Sequence, residues 1–301
     1  FIFNAEHTLP VVSVTTDPEN LWSNEKGIYV MGPNPLPRKP YGRMGEGANF
    51  WMDWEYPGSV EYYDTDGNLV LCEAMGLKLH GQYSRSEDQK AFALTARWAY
   101  GSGLFSAPLF PNRDYTEYKS FVLRASGNDG KFSRMLDSIL TTAAEGTGLM
   151  YQDTVPVVLY LNGEYWGHYN MRERIQVRSI AQWEGWDDPE HIDLVKANAN
   201  IRHGSDATYA DLVAWVSQNG CVSDENLQYV SDRVDIESYL TYVTIQMYVG
   251  NHDLRNVRRY RNAVSGDGRW RWILFDLDWG FWNDHDSPAL WLQPGGVGSN
   301  N

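Results

Sequence analysis

Two cysteines in 301 residues, Cys72 and Cys221, are too few for a disulfide framework and are not spaced as metal ligands. As a pair they leave two readings open, a single bridge or two buried thiols. No apolar run approaches the roughly 20 residues that a membrane-crossing helix needs. The longest, residues 155–161, is interrupted by Pro156. Basic residues are in deficit: 25 Lys and Arg stand against 39 Asp and Glu, a net charge of −14. That balance argues against a nucleic-acid partner, which needs a basic face, and suits a basic protein or peptide. Charged residues make up 21% and no long biased run occurs, which argues against wholesale disorder. The chain opens at Phe1 rather than Met, as a trimmed chain would, and no export signal is visible in it.

What is present is apolar and aromatic material, 43% and 14% of the residues. That suffices for one large core or two closely packed lobes. The first part reads as strands. Residues 9–15 form a β-branched run, and Asp17-Pro18 turns into a short helix. Residues 32–40 are a proline-dense loop without core signal, and 49–56 read as a strand. Residues 60–63 and 69–79 flank Asp66-Gly67, which suits a type I′ hairpin turn. Residues 91–96 and 120–124 continue the strands, and a helix is expected over 133–144. A second hairpin pairs 157–161 with 165–171 around Asn162-Gly163, the strongest short-range hairpin signal.

Beyond Glu173 the pattern turns helical. Residues 205–216 have apolar positions at helical spacing. The clearest helix is capped by Asp235, carries Glu237 in its first turn and ends near Gly250. Ile236, Leu240, Val243 and Met247 are expected to line its inner face. A final hairpin joins 257–264 to 270–279 through Ser265-Gly-Asp-Gly268. A β-rich first part and a helix-rich second part give an α+β class, two-lobed in outline.

Two carboxylate segments stand out. In Phe275-Asp-Leu-Asp-Trp-Gly-Phe281, Asp276 and Asp278 would share one face of a strand, where like charges call for a cation between them. A hard divalent ion accepts such oxygens. A pair of solvated edge-strand aspartates is the plainer alternative. Haloacid-dehalogenase phosphatases and many glycosyltransferases also use a D-x-D pair, though the former place it on an early strand. Asp253 follows the Asp235 helix at a loop bend, with Asn256 three residues on. An Asp that orients a substrate hydroxyl and an Asn that holds a metal occur in that order in phosphotransferase loops. A turn aspartate bonding its own backbone is the alternative. On a regular strand, Trp270 and Trp272 would share the face of Asp276, so Trp270 is a candidate for stacking an adenine, with a core role as the other reading.

Asn162-Gly-Glu-Tyr-Trp-Gly-His-Tyr-Asn-Met-Arg-Glu-Arg174 resembles a segment of the spore coat protein H (CotH) kinase family. Residues 9–14 with 27–30, Gly81-Gln-Tyr-Ser-Arg85 with Lys90-Ala-Phe92, 123–129, 250–253 and 275–281 follow in that family's order and cover nearly the whole chain. The resemblance implies an atypical protein-kinase-like fold in one domain over 1–301, with a β-rich lobe at about 1–175 and a second lobe at 176–301 that the family extends further. It implies an ATP- and Mg²⁺-dependent phosphotransferase (Mn²⁺ or Ca²⁺ as alternatives) on a cell or spore surface or outside the cell. Its acceptor would be a Ser/Thr hydroxyl of a basic, Ser-rich protein. By that resemblance Asp253 is the catalytic base, Asp276 a metal ligand, and Asn256 the second ligand with help from Asp278. Lys90, with Lys78 as runner-up, would touch the nucleotide phosphates, and Glu173 would pair with that lysine. Lys90 and Glu173 read equally as surface charges.

The departures are specific. No G-x-G-x-x-G loop exists to cradle phosphates. Asn256 follows Asp253 by three residues where kinases use five. Leu254 stands where many members have Trp. Two other readings remain beside the kinase: a non-catalytic surface or coat module, which would not require Asp253, and a sugar-nucleotide site, which predicts preference for a UDP-sugar.

Overall fold

A computed structural model describes residues 6–36, 45–197, 200–251, 253, 256–282 and 291. The rest of the proline-dense loop (37–40), Leu254 and the terminal segment after 282, Trp291 apart, lie outside the described residues. The strands are β1 Val11–Thr16, β2 Tyr56–Tyr63, β3 Leu69–His80, β4 Ala91–Thr95, β5 Phe105–Ser106, β6 Glu117–Tyr118 and β7 Ser120–Arg124. They continue as β8 Met150–Tyr151, β9 Thr154–Leu161, β10 Glu164–Glu173, β11 Ile192–Lys196, β12 Asn200–His203, β13 Arg258–Asn262 and β14 Arg271–Leu274. The α-helices are α1 Pro18–Trp22, α2 Leu136–Thr141, α3 Val177–Glu184, α4 Ala207–Asn219, α5 Asp224–Ser231 and α6 Ile236–Tyr248. The class is mixed α+β. Two compact units divide the chain, Phe1–Met135 with Asp153–Arg174, and Leu136–Gln152 with Ile175–Asn301.

The first unit is a closed barrel in the order β1-β2-β3-β4-β7-β10-β9. Alternation drives it: Val12, Val14 and Thr16 of β1 point inward between less buried neighbours. Val12 and Val14 join Val60, Leu77, Phe92, Leu94, Phe121, Leu159 and Met171 in one buried core. Closure comes from β1, which pairs antiparallel with β2 and parallel with β9. A closed barrel leaves no exposed strand edge.

The β9–β10 turn is as read from sequence. Asn162 and Gly163 both have positive φ, 51° and 85°, as a type I′ turn requires. The β2–β3 turn is different. Tyr63 pairs with Leu69, and the carboxylate of Asp64 accepts from the amides of Asp66 (2.9 Å) and Asn68 (2.8 Å). Only Gly67 there is left-handed, so a longer Asx-type loop replaces the two-residue turn. The strand expected over 49–56 is absent: Asn49–Trp51 is a 3₁₀ turn, and β2 starts only at Tyr56.

The second unit holds a five-stranded sheet in the order β12-β11-β13-β14-β8. Val195, Val257, Trp272 and Leu274 on one face pack with Tyr242 and Ile245 of α6. Leu194, Tyr260, Ile273 and Phe275 on the other pack with Ile180 and Ala181 of α3. The α6 cap is as expected, with Asp235 accepting from the Ser238 amide at 3.1 Å. Its inner face is as expected only in part: Ile236 and Val243 pack half-buried against this core. Tyr242, Ile245 and Gln246 are buried and Leu240 is 56% exposed. The larger aromatic surface of Tyr242 wins the inward position. The helix expected over 133–144 is shorter, with α2 starting at Leu136 and tightening to a 3₁₀ turn at Thr142–Ala144. Both cysteines are free and exposed, so neither a bridge nor buried thiols describe them.

Candidate functional site

The end of α6 sets the first part of the site. Gly250 turns the chain out of the helix with φ +62°. Asn251, buried, donates from its side-chain amide to Gln246 Oε1 at 2.9 Å. Its own Oδ1 accepts the Asp253 amide at 3.1 Å. A buried pair of amides at the helix end therefore fixes the backbone that presents Asp253.

Three residues on, the Asn256 side-chain amide donates to Asp253 Oδ2 (2.9 Å) and to Asp276 Oδ2 (2.6 Å). One amide group thus holds two carboxylates together. Their convergence follows from the sheet: Arg258 of β13 opposes Ile273 of β14 in antiparallel register. The residues just before Arg258 and just after Ile273 leave the sheet at the same end.

The D-x-D segment is not a strand, contrary to the expectation. β14 ends at Leu274, and Asp276 has φ +61°. A left-handed side-chain-bearing residue is held by its surroundings at a cost of about 1–2 kcal/mol, and such strain gathers at functional sites. Here Asp137, buried on α2, accepts the Leu277 amide at 2.6 Å. Phe281 donates its amide to the Val249 carbonyl at 2.7 Å. Because the backbone is not extended, alternation no longer puts Asp276 and Asp278 on one face. Asp278 begins a turn, is 3% exposed, and accepts from Trp282 Nε1 through its carbonyl at 2.6 Å.

Lys196, at the end of β11, is a residue that sequence reading missed. Burial is the largest influence on its ammonium and lowers its pKa. Arg258 and Arg202 push the same way, while Asp276 and Asp253 oppose them. Its signal in the sequence is slight: a lysine closing the short apolar strand Ile-Asp-Leu-Val-Lys.

Trp270 is corrected. It is 1% exposed, with Tyr209 edge-on at 5.4 Å and the Arg261 guanidinium 5.4 Å from its ring centre. It belongs to the core of the second unit, and no ring face is open to an adenine.

The lysines and Glu173 lie in the first unit. Lys90 sits one residue before β4, 5% exposed. Its ammonium donates to the Glu87 carbonyl at 2.6 Å and lies 4.7 Å from the Phe50 ring centre. Burial pushes it down to about 8, against the pull of Asp88 and Glu87. The expected Lys90–Glu173 ion pair is not made. Glu173, 2% exposed, pairs instead with Arg113 at 2.8 Å and accepts from the Tyr115 hydroxyl. Burial drives the Glu173 carboxyl up, and the Arg113 guanidinium is the main force opposing it. Arg113 lies in the loop before β6, where no periodicity marks it. Lys78 forms a surface pair with Asp53 at 2.7 Å, and that hydrogen bond holds the Asp53 carboxyl below its usual range.

The donor set at Asp253, Asn256 and Asp276 is all oxygen once the amide presents its carbonyl. Among the described residues no cluster of three or more His, Cys, Asp or Glu is arranged to hold an ion. Two carboxylates and an amide oxygen are nevertheless donor types that Mg²⁺ accepts beside water and substrate phosphates, and the Asn256 amide would have to turn its oxygen inward to join them.

A family model described as CotH kinase protein matches residues 77–299, about three quarters of the chain. The match includes Asp253, Asn256 and Asp276. No curated protein matches the chain significantly.

Proposed function

Because the chain belongs to the CotH kinase protein family, we propose that it is an ATP- and divalent-metal-dependent phosphotransferase acting on Ser/Thr hydroxyls of a secreted or coat protein. The observation that supports this reading is the single Asn256 amide bonded to both Asp253 and Asp276. A pure binding module has no need of a carboxylate beside the metal-type ligands. The fold in this reading is an atypical protein-kinase-like one.

The roles follow from position. Asp276 and Asn256 would hold the divalent ion, with Mg²⁺ first and Mn²⁺ or Ca²⁺ as substitutes. When bound, that ion neutralises charge on the phosphate oxygens. Asp253, fixed through Asn251, would orient the acceptor hydroxyl and take its proton. The hydroxyl oxygen attacks the terminal phosphorus, and the bond to the ADP oxygen breaks in line. Asp276 supplies charge at a backbone geometry already set, so little reorganisation is left for the reaction. The acidic surface favours a basic, Ser-rich acceptor.

The test is transfer from γ-labelled ATP to a basic Ser-rich acceptor with Mg²⁺ or Mn²⁺. The wild type should label the acceptor. Asp253→Asn should keep ATP affinity and lose transfer by about 10²-fold or more. Asp276→Asn should lose metal-dependent ATP binding. Nucleotide binding without transfer by the wild type would leave a non-catalytic module, and preference for a UDP-sugar over ATP would point to glycosyl transfer.

A further inference from the structure

Lys196 closes β11 and lies directly opposite Arg258 of β13 in the antiparallel register. Like charges placed directly opposite on neighbouring strands are destabilising. Arg202, on β12, adds a third cation to the same field. Arg258 has its own setting, with its guanidinium 4.6 Å from the Phe275 ring centre and a hydrogen bond to the Ile175 carbonyl at 3.5 Å. Lys196 has none: its ammonium makes no hydrogen bond or ion pair among the described residues. It is half-buried, and a half-buried ammonium without a hydrogen-bond acceptor is costly.

The location gives this arrangement a purpose. The end of β11, the start of β13 and the end of β14 meet at one end of the sheet. The Ala197 amide donates to the Val257 carbonyl at 2.9 Å, one residue from Asn256. Asp253 and Asp276 both act on the Lys196 charge, yet an Oδ2 of each is engaged by Asn256. An anion arriving there would meet a cation at one side and carboxylates suited to a metal at the other. Phosphate is the anion that needs both.

We propose that Lys196 binds the terminal phosphoryl group of a nucleoside triphosphate at the Asp253–Asn256–Asp276 site. The terminal group is specified because the end of β11 is bonded through Ala197 to Val257, next to Asn256, whose amide holds the carboxylate of Asp253, the residue placed to orient the acceptor. This inference rests on the phosphotransferase reading. A compact ammonium acts as a point charge on phosphate and needs no bidentate fit.

The experiment is calorimetric titration of the full chain with Mg·ATP, Mg·ADP and Mg·tripolyphosphate. It uses the wild type, Lys196→Met, Lys196→Gln and Lys196→Arg, with melting temperature as the check on folding. Both neutral variants should lose about tenfold in affinity for ATP and tripolyphosphate and less than twofold for ADP, and Lys196→Arg should recover most of the loss. Unchanged ATP affinity in a folded neutral variant, or equal losses for ATP and ADP, would overturn the assignment while leaving the kinase reading intact. A wild type that binds tripolyphosphate through Lys196 but neither ATP nor ADP would leave only an anion site and sink both the nucleotide assignment and the kinase reading. Binding of none of the three probes by the wild type would overturn both.

Discussion

Asp253, Asn256 and Asp276 converge through one amide, with Asn256 Nδ2 donating to both carboxylates. Their geometry was not legible. The sequence suggests an extended D-x-D, and the chain adopts a left-handed Asp276 instead, clamped from Asp137, 139 residues away in sequence. No local pattern reports a clamp of that separation. Lys90 shows the same limit: a lysine flagged for its type proves to be sealed between aromatic rings and a carbonyl. Its burial has a consequence that can be measured. With the folded pKa at about 8 and the ordinary value at 10.5, the unfolded chain binds more protons between those limits. Stability therefore rises with pH across that window, and below it the buried charge is a standing cost on the order of 3 kcal/mol. Lys90→Met should raise the urea midpoint at pH 7, and its advantage over wild type should shrink as pH passes from 8 to above 10. A midpoint difference independent of pH would show that the ammonium is solvated in the folded protein.

At the level of elements, local signals were reliable where they fixed a backbone conformation outright. Asn162-Gly163 sets two positive φ angles, and Asp235 caps α6 through the Ser238 amide. They were unreliable where packing chose between candidates. Helical spacing puts Ile236, Leu240, Val243 and Met247 on the inner face of α6; Ile236 and Val243 do pack there, but Leu240 is exposed while Tyr242 and Gln246 are buried, and Gln246 anchors Asn251 beneath Asp253. The β9–β10 turn also has a long-range duty that its sequence does not announce. Asn162 Oδ1 accepts the Thr16 amide at 2.9 Å, and its own amide donates to the Val14 carbonyl at 2.8 Å. The turn therefore fastens β1 where the barrel closes. Asn162→Ala should destabilise the protein by about 1–2 kcal/mol, from the orphaned Thr16 amide and the left-handed alanine. Asn162→Gly, which keeps the turn angles, should recover the conformational part alone. Urea denaturation of the three proteins would check this, and equal stability of Asn162→Ala and wild type would show that the closure does not depend on the turn.

For the whole molecule, the α+β class was readable from strands followed by helices, since that order is a property of local patterns. The parallel β1–β9 pairing was not, because it joins residues about 147 apart through no turn signal. Nor was the assignment of Leu136–Gln152 to the second unit, which makes the first unit discontinuous in sequence. Charge is the whole-molecule property that the sequence does state in full, and it bears on the acceptor. A net charge of −14 sets up a long-range field that a basic protein feels before contact. At physiological salt the screening length is about 8 Å, and at 1 M it is about 3 Å. Encounter should therefore weaken with salt, while the chemical step proposed for Asp253 and Asp276, acting at short range, should not. With a basic Ser-rich peptide as acceptor, KM should rise roughly tenfold between low and 0.5 M salt at nearly constant kcat. A neutral peptide of the same length should show almost no change, which separates steering from a general salt effect on ATP binding. If the basic and neutral peptides respond alike, the surface charge plays no part in choosing the acceptor, and selection must come from contacts at the site itself.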